Sequence, residues 1–372
     1  TTEPLLDSRG NVAIARSIMV DGVSQIDIDY YDRFGNILST TTPDVSSAPV
    51  SNGEDGEVKL VNLSNGEIGV FWISKIQPSG SPSSSKIRFS HGLPDQSWST
   101  PIDVSQTFTY NGSVDDCDRS GCALNGLQAV ATATGGLVVT AIKQAPVSSS
   151  QELYAYSSKT GITWTVQTAP ISASATIRPP SLAATTAGAV VSWAGHEGNS
   201  YFVRYSLLKV AGGTWSGSKL FTSASTAMYG NVVSRGGNKV AISAYVQRPV
   251  SKAITRDLDG VKDKWLSKEV TMFTTTGYPQ EFDMVAAPNG DLLGLFKVLE
   301  TDLSSSIYYV KVPAGAKLAK SPIQVATSSA STIDDIAIKS SVNGSPLISW
   351  LQKREESART WSNYVAAGVG AT

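Results

Sequence analysis

Few residues in this 372-residue chain combine the side-chain types that chemistry needs. Glu281 and Asp334 are the leading pair of carboxylates. Brought to a separation of about 5–9.5 Å they would act as acid and base on a glycosidic bond. Carboxylates with backbone carbonyls could instead hold Ca²⁺, which accepts roughly six to eight oxygens. The run Asp115-Asp116-Cys117-Asp118 invites that reading, although it lacks the later Gly and Glu of an EF-hand loop. The blander alternative is a solvated acidic rim. Histidine is scarce, with only His91 and His196 in the chain. His196 stands in Ala194-Gly195-His196-Glu197-Gly198, and a neutral loop histidine is the commoner case there.

The two cysteines, Cys117 and Cys122, have four residues between them, which suits a local disulfide closing a small loop. Metal binding by two thiols would need further soft ligands. A thioredoxin-like redox site wants two intervening residues and a βαβ setting. An oxidising compartment is therefore expected, with the protein secreted or on a cell surface. The chain opens on Thr1-Thr2-Glu3-Pro4, so the expectation is a removed signal peptide or a trimmed start.

Composition narrows the classes further. Apolar residues make up 41% of the chain, enough for a sizeable core. Thirty basic residues balance 31 acidic ones, without the basic excess of a nucleic-acid binder. No run approaches the roughly 18 apolar residues that span a bilayer as a helix. Ser-His-Asp elbows, P-loops, dinucleotide-binding glycine patterns and zinc motifs do not occur.

The elements that must position any site follow from an internal repeat. A short apolar stretch, a Gly-containing turn and a strongly apolar run recur seven times, with turn glycines at Gly10, Gly66, Gly136, Gly188, Gly237, Gly290 and Gly344. Successive spacings are 56, 70, 52, 49, 53 and 54 residues. Each copy continues with an alternating, aromatic-rich stretch such as Ile26–Tyr31, Lys86–Ser90, Leu153–Ser157, Tyr201–Ser206 or Ile307–Lys311, the signature of a strand. A fourth strand is expected over Trp98–Val104 and Trp265–Val270. No segment longer than about ten residues shows helical periodicity. Four short strands per period make one propeller blade, so the expected fold is all-β: a single seven-bladed β-propeller domain over residues 1–372. Its repeats run over approximately 1–46, 47–106, 107–172, 173–222, 223–273, 274–327 and 328–372. Too few residues follow Ala367 for a fourth strand in the last copy, so that blade is expected to be incomplete. Chain beyond Thr372, or a strand from another subunit, would then cover its edge.

The turn Ser157-Ser158-Lys159-Thr160-Gly161-Ile162-Thr163-Trp164 resembles the Asp-box, Ser-x-Asp-x-Gly-x-Thr-Trp, of the sialidase-like propellers. It departs at the defining position, where Lys159 replaces the acid. Weaker echoes are Ser206 with Gly212-Gly213-Thr214-Trp215, and Ser90 with Ser97-Trp98. In that superfamily the box is a structural turn away from the active face and carries no catalytic residue. The arginine triad, Tyr–Glu nucleophile and Asp acid of sialidases have no residue-by-residue counterpart, so sialidase activity is not expected.

By analogy of fold, ligands sit where each fourth strand leads to the next first strand and where second strands lead to third. The residues entering first strands there are Glu57, Asn125, Arg178, Asn231, Glu281 and Asp334, with Glu54, Asp55, Asp283 and Asp335 close by. That face reads as acidic, with Arg178 the main opposing charge. Seven-bladed propellers that act as polysaccharide lyases use His or Tyr as base with Arg neutralising a uronate. His196, Tyr229, Tyr278, Arg178 and Arg248 match those roles by type. The expected ligand-binding set is Asp55, Arg178, His196, Arg248, Tyr278, Glu281 and Asp335. Most of the eight tryptophans recur with the repeat, which suits packing between blades rather than sugar stacking. The expectation is a binding or assembly module for a carbohydrate or protein ligand. The alternatives are a glycoside hydrolase or polysaccharide lyase, and a structural subunit of a surface layer or filament.

Overall fold

The computed structural model describes residues 4–7, 10–20, 23–32, 34–45, 56–76, 83–93, 96–110, 124–143, 151–166, 171–174, 176–224, 228–248, 250–328, 333–341, 343–353 and 361–367. The described elements are strands joined antiparallel, and no helix among them is long and apolar enough to cross a membrane. The chain divides into two compact units, Thr1–Ala189 with Leu208–Gly217, and Val190–Leu207 with Ser218–Thr372.

In the first unit, β1 (Leu5–Leu6), β2 (Val12–Val20), β3 (Val23–Tyr31) and β4 (Ile37–Val45) form a meander. The second sheet comprises β5 (Gly56–Asn62), β6 (Ile68–Ile76), β7 (Ser83–Gly92) and β8 (Ile102–Asp103), with β9 (Phe108–Tyr110) also paired to β7. The third repeats that plan with β10 (Leu124–Ala131), β11 (Leu137–Lys143), β12 (Gln151–Ser158), β13 (Thr165–Val166) and β14 (Ser172–Ser174). Two short strands follow, β15 (Thr176–Ile177) and β16 (Ser181–Ala184).

The second unit takes up β17 (Ala189–Glu197), β18 (Ser200–Leu208) and β19 (Lys219–Ala224). Its next sheet holds β20 (Met228–Ser234), β21 (Lys239–Arg248), β22 (Val250–Asp259), β23 (Lys264–Trp265) and β24 (Val270–Thr275), the last also on β22. Then come the meander β25 (Tyr278–Ala286), β26 (Leu292–Leu299), β27 (Ser305–Val312) and β28 (Ile323–Ser328), and the sheet β29 (Ile333–Ser340), β30 (Pro346–Lys353) and β31 (Trp361–Ala367). That final sheet has three strands among the described residues.

Five of the first-to-second-strand hairpins are closed by one recurring turn. Leu63 N–H donates to Glu67 O at 2.9 Å and Gly66 N–H to Leu63 O at 3.0 Å, which forces Gly66 to a φ of 88°. The third repeat differs from the sequence expectation. Its left-handed residue is Gly135, one position early, while Gly136 is small because an added Cβ would lie 2.4 Å from Ala211 Cβ.

The third strands lie where the alternation puts them, but the expected fourth strands are broken. Only Ile102–Asp103 of the Trp98–Val104 stretch pairs with β7. Trp265 and Val270 fall on separate strands, β23 and β24. Serine hydroxyls fill the gaps: Ser105 Oγ accepts from Ile87 N–H at 2.8 Å, and Ser267 Oγ accepts from Asp257 N–H at 2.9 Å. The inner strand's partner is therefore satisfied without a continuous ladder.

Each sheet buries its faces against its neighbours in the same unit. Ala13, Ile26 and Ile28 pack on Val58, Val70 and Trp72, and Phe71 and Phe89 on Leu127, Val139 and Tyr156. In the second unit Tyr245 and Phe273 meet Phe296 and Val310, while Leu293 and Leu295 meet Ile338 and Ile348. Trp72 and Trp193 are fully buried, and Trp164 stands edge-on to Phe71 and Phe89 at 5.7 and 5.9 Å. The recurring tryptophans are packing residues, as their repetition implies.

Candidate functional site

Within the second unit, β20 packs beside β25 and β25 beside β29. The start of these inner strands is where Tyr229, Tyr278, Glu281 and Asp335 stand. Tyr229 lies opposite Tyr245 in the β20–β21 ladder. Tyr245 is completely buried, edge-on to Phe296 at 5.5 Å, and its hydroxyl has no hydrogen-bond partner among the described residues. Tyr308, fourth residue of β27, packs on Phe273 at 5.1 Å and donates its hydroxyl to Glu300 Oε1 at 2.7 Å. Burial, and then the carboxylate of Glu300, push the Tyr308 phenol above its ordinary range. Tyr245 is pushed up more strongly by burial, with Glu300, Tyr229 and Tyr308 adding to it. These phenols stay protonated at neutral pH, so they are hydrogen-bond donors and poor bases.

The first unit carries a counterpart. Tyr154, fourth residue of β12, donates to Glu152 Oε2 at 3.0 Å, and Lys143 Nζ holds the same oxygen at 3.1 Å. Phe108 packs against Tyr154 at 5.0 Å. Burial first, then Glu152, push the Tyr154 phenol up to about 12.

The other expected residues have these places. His196 is half-buried at the end of β17, its ring 5.4 Å from that of Tyr201, and Arg204 reaches Glu197 at 3.7 Å while stacking over Phe202 at 4.7 Å. Glu281 is partly buried opposite Lys297, itself only 7% exposed. Tyr278 is exposed at the first position of β25, and Asp335 is exposed in a left-handed backbone, φ 46°. Arg178 belongs to the first unit, beside Pro179 and Pro180. Asp334 and Arg248 lie on β29 and β21, and their side chains are outside the described set. Asp55, Asp115, Asp116, Cys117, Asp118 and Cys122 fall outside the described residues.

Two rim carboxylates turn out to clasp neighbouring sheets. Glu57 accepts from Gly126 and Leu127 N–H at 2.9 and 2.5 Å, across from β5 to β10. Asp283 Oδ2 accepts from Ile338 N–H at 2.8 Å, across from β25 to β29. His91 contacts Glu67 Oε2 through Nδ1 at 2.7 Å and stacks on Phe89.

The box-like turn keeps its fold without its acid. Ser158 Oγ accepts from Gly161 N–H at 2.9 Å and donates to Thr163 O at 2.6 Å. A carboxylate serves the same purpose in the fifth repeat, where Asp259 Oδ1 accepts from Val261 and Lys262 N–H at 3.0 and 2.9 Å. These backbone hydrogen bonds, that of Lys262 foremost, hold Asp259 below the usual carboxylate range. Like Ser158 before Trp164, Asp259 comes six residues before its tryptophan, Trp265. Sequence reasoning missed it, and missed Glu300 and Glu152, which belong to no motif.

No protein-family model matches the chain, and no curated protein does. Solved structures are similar to it. The polysaccharide lyase Uly1 is 9% identical, with 98% of this chain and 88% of that one covered at a TM-score of 0.52. The BP39L lectin from Burkholderia pseudomallei is 12% identical, with 97% and 96% covered at a TM-score of 0.52. A polysaccharide lyase of family PL25, an ulvan lyase, is 12% identical over 95% and 91% at a TM-score of 0.46. With Uly1 and BP39L the chain shares its fold, an all-β propeller of antiparallel sheets.

Proposed function

We propose that the chain is a carbohydrate-binding β-propeller of seven blades, acting outside the cytoplasm as a recognition module. The observation that supports this most is the repeated phenol–carboxylate pair, Tyr154 with Glu152 and Tyr308 with Glu300. Each pair fixes a phenol oxygen and a carboxylate side by side, oriented acceptors for the hydroxyls of a sugar. Repetition suits a lectin, whose sites recur with the structural repeat. Phenols held protonated suit binding better than proton abstraction. The fold shared with a lectin and with a polysaccharide lyase is compatible with a saccharide ligand. Within the second unit, Glu281, Tyr278 and Asp335 extend the proposed contact surface.

A second reading, a glycoside hydrolase or polysaccharide lyase, draws on His196 beside Tyr201 with Arg204 on the same strand as that tyrosine. A panel of immobilised glycans separates the two, read for retention and, by mass spectrometry, for product. Retention without product is the expected result. Product that disappears in His196→Ala or Glu281→Gln would make the chain an enzyme.

A further inference from the structure

A cleft of about 460 Å³ opens in the second unit, lined by Arg235, Arg256, Lys268, Val312 and Lys317 among others. It lies at the far end of β20 from Tyr229, because Arg235 follows the last residue of that strand. Its floor is apolar: Val270, Leu292 and Val312 are buried. Its acidic residues are already engaged. Asp257 holds Arg235 at 2.7 Å and Lys239 at 2.9 Å, and Glu269 faces Lys252 at 3.6 Å. Its cations are less completely used. Arg235, with only 5% of its side chain exposed, binds Asp257 and the Gly290 carbonyl, yet its buried Nε has no partner among the described residues. Arg256 is stacked 4.4 Å over Trp265, with Nε donating to Ser267 O at 2.9 Å. Lys268 and Lys317 are exposed at the mouth, and neither has an ion-pair partner among the described residues.

From this we infer that the cleft is a second binding site, for a small organic anion: a carboxylate or sulfate carried on a ring the size of a monosaccharide. The volume is that of a small-ligand pocket. The apolar floor offers contact to a ring face, and the uncommitted lysines offer charge-assisted hydrogen bonds to the acidic group. The broken outer strand makes room for it, since Ser267 to Glu269 leave the ladder between β23 and β24 and form one wall.

The test is titration of the isotopically labelled protein with glucuronate, glucose 6-sulfate and glucose, followed by amide NMR. The acidic sugars should shift the amides of Lys268, Glu269, Gly315 and Lys317, and glucose should leave them unmoved. Lys268→Ala with Lys317→Ala, both at exposed positions, should weaken that binding about tenfold, and Tyr308→Phe should leave it unchanged. Acidic sugars that shift only amides near Tyr308 or Tyr154, or bind the double variant as tightly as the parent, would overturn this site without touching the phenol–carboxylate one.

Discussion

Tyr154 and Tyr308 occupy one structural position in two different sheets: each is the fourth residue of its third strand, and each donates its phenol to a glutamate, at 3.0 and 2.7 Å. The acceptors differ in origin. Glu152 precedes Tyr154 on β12 itself, whereas Glu300 follows the end of β26 and reaches across to β27.

Alkaline pH should reveal these phenols. Because the folded pKa of Tyr154 is raised from about 10 to about 12, the folded state keeps a proton that the unfolded chain releases. Its contribution to stability is whole below pH 10 and is lost as the pH rises towards 12. Denaturant unfolding across that range should show stability falling, and Tyr154→Phe should flatten the fall. An unchanged slope in the variant would place the alkaline loss elsewhere.

Tyr245 tests the packing of the same region. Its hydroxyl is buried without a partner among the described residues, so Tyr245→Phe should leave stability unchanged or raise it by up to about 1 kcal/mol. A loss of more than about 1 kcal/mol in thermal unfolding would mean that the hydroxyl is satisfied and part of a polar network.

Much of the architecture was legible because it is written in repeated, local signals. Turn glycines mark Gly10, Gly66, Gly290 and Gly344, and alternation marks the third strands. The broken outer strands were not legible, since Ser105 and Ser267 replace backbone acceptors with hydroxyls that look like ordinary loop residues. Tyr229, Tyr278, Glu281 and Asp335 lie on first strands, where the repeat places them, while Glu57 and Asp283, read as acidic rim, are committed to amides of the next sheet. Glu300 pairs with a tyrosine eight residues away across a hairpin, a relation that only the ladder register creates.

The clasp formed by Glu57 should matter to stability more than its exposure suggests. It accepts from two amides of β10, and charge-assisted bonds of this kind contribute about 1.5–3 kcal/mol. Glu57→Ala should lower unfolding free energy by about that much, with Glu57→Gln losing less. Equal, negligible losses in both variants would show that the bulged start of β10 holds itself.

In the box-like turn, Ser158 rather than Lys159 does the work of the missing acid. Ser158→Ala should cost about 1 kcal/mol, and Lys159→Ala should stay within about 0.5 kcal/mol of the parent. Chemical denaturation of the two variants gives the comparison, and the reverse order would return the role to position 159.

The proposed disulfide has its own check. Cys117 and Cys122 should resist alkylation in the unfolded, unreduced protein and take up two labels after reduction, as counted by intact mass. Labelling before reduction would place the chain in a reducing compartment.

The most direct test of the proposed recognition is calorimetric titration of a retained glycan into the parent, Tyr154→Phe and Tyr308→Phe. If the repeated phenol–carboxylate pairs are binding sites, the parent binds two glycans per chain and each variant binds one. Unchanged stoichiometry and affinity in both variants would contradict that assignment.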